Sequence, residues 1–144
     1  MNNEFIILLV EDNSADAELT IRALRKHHLA NRLIHVTDGQ AALDYFFAGD
    51  SEHRVQPNLV LLDLKLPQVG GIEVLRRLRA DERTKLVPVV VLTSSNEDQD
   101  VIETHELGAN SYIVKPVEFE NFSAAVTNMG LYWMLLSGPP IPKS

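Results

Sequence analysis

Residues 59–67 read Leu59-Val60-Leu61-Leu62-Asp63-Leu64-Lys65-Leu66-Pro67, a short aliphatic run that ends on a carboxylate and, four residues later, on a proline. The run has no polar alternation, so it reads as a strand over residues 59–62 with both faces covered, the pattern of a parallel sheet flanked by helices. Asp63 then stands just past the strand end, where the chain turns.

Four further segments read the same way: residues 5–10, 32–36, 87–92 and 112–114. Helical spacing fills the gaps between them. Ala17, Ile21, Leu24 and His28 mark a first helix, residues 41–47 a second, and Ile72, Leu75 and Leu78 a third. A fourth helix over residues 98–107 has a poor apolar stripe, interrupted by His105 and Glu106, and is expected to be less firmly held. The last is the clearest, with Phe119, Phe122, Val126, Met129, Trp133 and Leu136 at alternating three- and four-residue steps. Five strands alternating with five helices predict an α/β fold, an open doubly wound parallel sheet in the flavodoxin-like order 2-1-3-4-5 with right-handed crossovers.

In such a sheet the site lies at the carboxyl ends of the strands. The residues found there are Glu11 and Asp12 after the first strand, Asp63 after the third, Thr93 with Ser94 and Ser95 after the fourth, and Lys115 after the fifth. Three crowded carboxylates repel one another unless a divalent cation joins them, and hard oxygen donors suit Mg2+ or Mn2+. Asp63 can then attack phosphorus as a carboxylate nucleophile, with Lys115 offsetting the charge on the phosphoryl oxygens and Thr93 donating a hydrogen bond.

Composition narrows the class further. The 144 residues, 45% of them apolar, suit one domain with one core. No cysteine is present, so disulfides and thiolate metal sites are excluded, and a cytoplasmic location is the expectation. No apolar stretch approaches the roughly 20 residues that span a bilayer, and no signal segment opens the chain. A net charge of −7 opposes binding to nucleic acid. The five histidines show no ligand spacing.

Four motifs in chain order, Val10-Glu11-Asp12-Asn13, Leu62-Asp63-Leu64-Lys65-Leu66-Pro67, Leu92-Thr93-Ser94 and Val114-Lys115-Pro116, resemble the receiver domain of two-component response regulators. The resemblance covers roughly residues 5–136. It implies that the chain is not an enzyme in its own right but takes a phosphoryl group from a sensor histidine kinase on Asp63. Asp12 would be a direct metal ligand, Glu11 a carboxylate acting mainly through water, and the backbone carbonyl of Lys65 a further ligand. It also implies phosphoryl contacts from Thr93 and Lys115, a cis peptide between Lys115 and Pro116, and a switch role for Tyr112. Glu11 stands where aspartate is commoner, and Lys65 brings a charge to the pocket mouth.

Residues 1–137 are expected to form the receiver domain and 138–144 a tail. The apolar run over residues 131–136 exceeds one core stripe, so either that tail or a protein partner is expected to cover it. A homodimer through the fourth helix, fifth strand and fifth helix is the leading form of the partner reading. The long connection over residues 49–57 and the Trp-containing C-terminus are similar to the small stand-alone regulators of phytochrome-type histidine kinases. Against these stand a phosphorylation-independent pseudo-receiver, a flavin-binding module, which the charges of residues 11–16 oppose, and a phosphatase of the haloacid dehalogenase type, which would need an aspartate where Lys65 stands.

Overall fold

The computed structural model describes residues 5–26, 32–49, 56–94 and 104–130. Five strands, β1 (Ile6–Val10), β2 (Arg32–Val36), β3 (Leu59–Asp63), β4 (Val89–Thr93) and β5 (Ser111–Val114), form one sheet in the order β2-β1-β3-β4-β5. Every neighbouring pair is parallel. Helices α1 (Ser14–Lys26), α2 (Gly39–Phe47) and α3 (Gly71–Ala80) follow β1, β2 and β3, and a last helix (Phe119–Asn128) follows β5. The fourth helix expected at residues 98–107 falls largely outside the described residues, where 104–106 are helical. Trp133, the apolar run at 131–136 and the tail lie outside them as well.

The lack of alternation in the strands has a direct structural cause. Ile7 and Leu9 of β1 and Leu59 and Leu61 of β3 pack with Ala17 and Leu24 of α1 and with Phe122, Ala125 and Val126 of the last helix. Their neighbours Leu8, Val10, Val60 and Leu62 pack on the other side with Ala42, Leu43 and Phe46 of α2 and Val74, Leu75 and Leu78 of α3. Each strand therefore buries both sets of side chains, and all five residues of β1, β3 and β4 are buried. The edge strands β2 and β5 are only partly covered.

Two of the differences from the expectation concern the core. The fourth strand begins at Val89 rather than 87, because Pro88 has no N–H to give the ladder. On α3 the buried stripe runs through Val74, Leu75 and Leu78, leaving Ile72 half-buried.

Asp38 caps α2, its Oδ1 accepting from Ala41 N at 2.7 Å. Asp38→Ala is therefore expected to lower stability by about 1 kcal/mol, measurable as a shift in the urea midpoint with an unchanged slope.

Candidate functional site

Strand register brings the polar groups to one rim. Asp63 is the last residue of β3 and pairs with Leu92, while Thr93 ends β4 beside Val114. Lys115 is fixed immediately after, its N–H donating to the Thr93 carbonyl at 2.7 Å, and the peptide to Pro116 is cis as the sequence predicts. Glu11 follows β1, held by its N–H to the Val36 carbonyl at 3.1 Å. Asp63, Thr93 and Glu11 are all buried, whereas Asp12 beside them is exposed.

Lys115 gathers the carboxylates. Its Nζ lies 2.7 Å from Glu11 Oε1, 3.1 Å from Asp63 Oδ2 and 3.1 Å from Asp16 Oδ2. The contacts to Asp63 and Asp16 are hydrogen bonds, and the contact to Glu11 is an ion pair. Glu11 Oε1 is buried without a hydrogen-bond partner, while Oε2 accepts from Asn13 N at 3.2 Å. Asp63 Oδ1 accepts from Lys65 N at 3.1 Å, so both oxygens of the expected acceptor are oriented.

Burial, reinforced by Asp63 beside it and opposed by Lys115, raises the Glu11 pKa from 4.5 to about 7. Burial also acts to lower the Lys115 pKa, but the bonds and charges of Glu11, Asp63 and Asp16 outweigh it and the net shift is upward. The site thus keeps its ammonium through the neutral range while one carboxylate holds its proton unusually late.

Carboxylate oxygens of Glu11, Asp12 and Asp63 all lie within 4.8 Å of one another. This all-oxygen donor set, buried at Glu11 and Asp63, fits a hard divalent cation such as Mg2+ or Mn2+. Glu11 sets a pH dependence for that fit. Between pH 4.5 and about 7 the folded metal-free protein holds a proton on Glu11 that the unfolded chain has released. Stability without metal therefore falls as pH rises through that window and levels off above it. Urea titrations in EDTA and in Mg2+ at about pH 5 and about pH 8 are expected to show a wider gap between the two conditions at the higher pH.

The structure also assigns tasks that the sequence reading missed. A Cβ on Gly71 would lie 2.2 Å from the Asp63 carbonyl oxygen, and one on Gly39 would lie 1.8 Å from that of Val69. Gly71 is needed because α3 starts against the backbone at the end of β3. His35 Nε2 lies 2.9 Å from the Glu11 carbonyl oxygen, tying β2 to the rim. Asp16 was passed over entirely, although Asn13 three residues before it is a helix-capping signal that places it on the first turn beside the pocket.

Tyr112 is 43% exposed, on a groove of about 430 Å³ between β5 and the last helix. Another, of about 410 Å³, is lined by Pro57, Leu86 and Pro88 with neighbours at the amino ends of β3 and β4. Neither groove is lined by the carboxylates. No helix of the described residues is long and apolar enough to cross a membrane.

Residues 7–127 match the family model of the response regulator receiver domain. The chain is 43% identical over 138 residues to the probable methanogenesis regulatory protein FilR2 of Methanothrix harundinacea, covering 96% of this chain and 89% of that one. It is similar to the bacteriophytochrome response regulator RtBRR, with 49% identity, a TM-score of 0.81, and coverage of 94% of this chain and 83% of that one. It is 38% identical to response regulator Rcp1 of Synechocystis over 90% of this chain and 88% of Rcp1. The crystal structure of the Mn2+-bound form of Rcp1 superposes with a TM-score of 0.74 at 36% identity, covering 96% of this chain and 99% of that one.

Proposed function

We propose, from the premise that the chain belongs to the response regulator receiver-domain family, that it is a phosphorylation switch whose acceptor is Asp63 and whose donor is a histidine kinase of the phytochrome type. Receiver domains of this kind are signalling proteins rather than enzymes, with a histidine kinase as partner and a divalent metal at an acidic pocket. The single observation that carries the finer reading is the convergence of Lys115 Nζ on Glu11 and Asp63 at 2.7 and 3.1 Å. Thr93 ends the adjacent strand.

In the proposed step an oxygen of Asp63 forms a bond to phosphorus as the bond from phosphorus to the kinase imidazole nitrogen breaks, the electron pair leaving with the imidazole. Glu11, Asp12, Asp63 and the Lys65 carbonyl would hold Mg2+, which when bound neutralises charge developing on the phosphoryl oxygens. Lys115 contributes a second positive charge, and the Thr93 hydroxyl donates a hydrogen bond to the new group. Thr93 and Tyr112 then reposition, and the surface around the fourth helix, β5 and the last helix changes. That surface is the proposed site of homodimerisation or target binding, within a receiver domain of residues 1–137 that works in the cytoplasm.

The kinship with RtBRR, named as a bacteriophytochrome response regulator, supports the choice of kinase class. A phosphorylation-independent module would be favoured by a missing site residue, and Glu11, Asp12, Asp63, Thr93 and Lys115 are all present. The test is transfer from a radiolabelled, histidine-phosphorylated phytochrome-type kinase in Mg2+. Label is expected to pass to the chain, and label that stays on the kinase while its own regulator accepts it would refute the kinase assignment.

A further inference from the structure

The third carboxylate on Lys115 belongs to none of the roles above. Asp16 lies on the first turn of α1, its side chain 38% exposed and Lys115's only 13%. A closed circuit of contacts fixes it. Glu11 Oε2 accepts from Asn13 N at 3.2 Å, Asn13 Oδ1 accepts from Asp16 N at 2.9 Å, Asp16 Oδ2 accepts from Lys115 Nζ at 3.1 Å, and Nζ returns to Glu11 Oε1 at 2.7 Å. Thr20 Oγ1 adds a bond to the Asp16 carbonyl at 3.0 Å.

An ammonium has three N–H donors and no more. Without metal, Lys115 hydrogen-bonds Asp63 and Asp16 and holds Glu11 as an ion pair. A divalent cation on Glu11, Asp12 and Asp63 would draw on two of the carboxylates that Lys115 now contacts, and it would repel the ammonium. Among the described residues, Asp16 is the one side-chain partner of Lys115 outside the group of carboxylates that can share an ion.

We propose that Asp16 is a positioning residue that holds Lys115 when a divalent cation takes Glu11 and Asp63, so that ammonium and metal share the pocket instead of competing for it. This rests on the reading that Glu11, Asp12 and Asp63 hold the metal. Among the described residues, removing Asp16 leaves Lys115 with only the metal's own ligands as side-chain partners, and metal affinity falls.

The test is Mg2+ binding to the full chain by calorimetry, with Mg2+ alone as the probe. Asp16→Asn and Asp16→Ala are each expected to raise the Kd about fivefold, the scale of one partly screened charge contact. Glu18→Gln, which removes an exposed charge of α1 with no contact to Lys115, is expected to leave it within about twofold. In a Lys115→Met background, the Asp16→Asn effect is expected to disappear, because Asp16 acts through the ammonium. An Asp16→Asn effect of the same size with and without Lys115 would overturn the proposal, as would unchanged affinity in both Asp16 variants or an equal loss in Glu18→Gln. A parent chain that binds no Mg2+ would overturn both this proposal and the metal assignment beneath it.

Discussion

Lys115→Met in EDTA is expected to destabilise the protein by about 3–5 kcal/mol, the loss typical of removing one partner from a buried ion pair. The ammonium is the centre on which Glu11, Asp63 and Asp16 converge, and Glu11 and Asp63 are buried. Without it two carboxylates face each other out of water with no compensating charge. Glu11 can escape part of the penalty by keeping a proton, since its pKa already stands at about 7, so the loss is largest above that pH. Mg2+ is expected to recover most of it, which a purely structural lysine would not allow. Urea unfolding at about pH 8, with and without metal, measures both effects. Equal destabilisation in the two conditions would argue against a metal site at these carboxylates.

Asp63→Asn is expected to reduce phosphoryl uptake by at least about a hundredfold, because an amide oxygen is a poor nucleophile and cannot form the acyl phosphate. The fold is expected to survive. The amide oxygen can still accept from Lys65 N, as Oδ1 does now, and the substitution removes a negative charge beside buried Glu11. Uptake measured by phosphate-affinity electrophoresis, alongside urea unfolding in EDTA, separates loss of the acceptor from loss of the fold.

The sheet was legible because its inner strands meet helices on both sides. Runs such as Ile6–Val10 and Leu59–Asp63 then need no polar alternation, and a series of five βα units suggests the flavodoxin-like strand order. The site was legible for the same reason, since Asp63 and Thr93 are the first polar residues where buried runs end. What did not show was side-chain reach across elements. Asp16 and Lys115 are 99 residues apart, and no local pattern announces that the first turn of α1 meets the residue after β5. Nor does the local sequence reveal the task of Gly71, because the carbonyl it approaches belongs to another element, eight positions earlier. His35 is exposed on an edge strand, where a histidine attracts no notice, yet its ring reaches the Glu11 backbone.

The most direct test of the account is the chemical location of the phosphoryl group. Acetyl phosphate and Mg2+ are added to the full chain, borohydride then reduces any acyl phosphate, and peptide sequencing by mass spectrometry finds the residue converted to homoserine. The account predicts homoserine at position 63, formed only when metal is present. Homoserine at Asp12 or Asp16 instead, or the same yield at position 63 in EDTA, would contradict it.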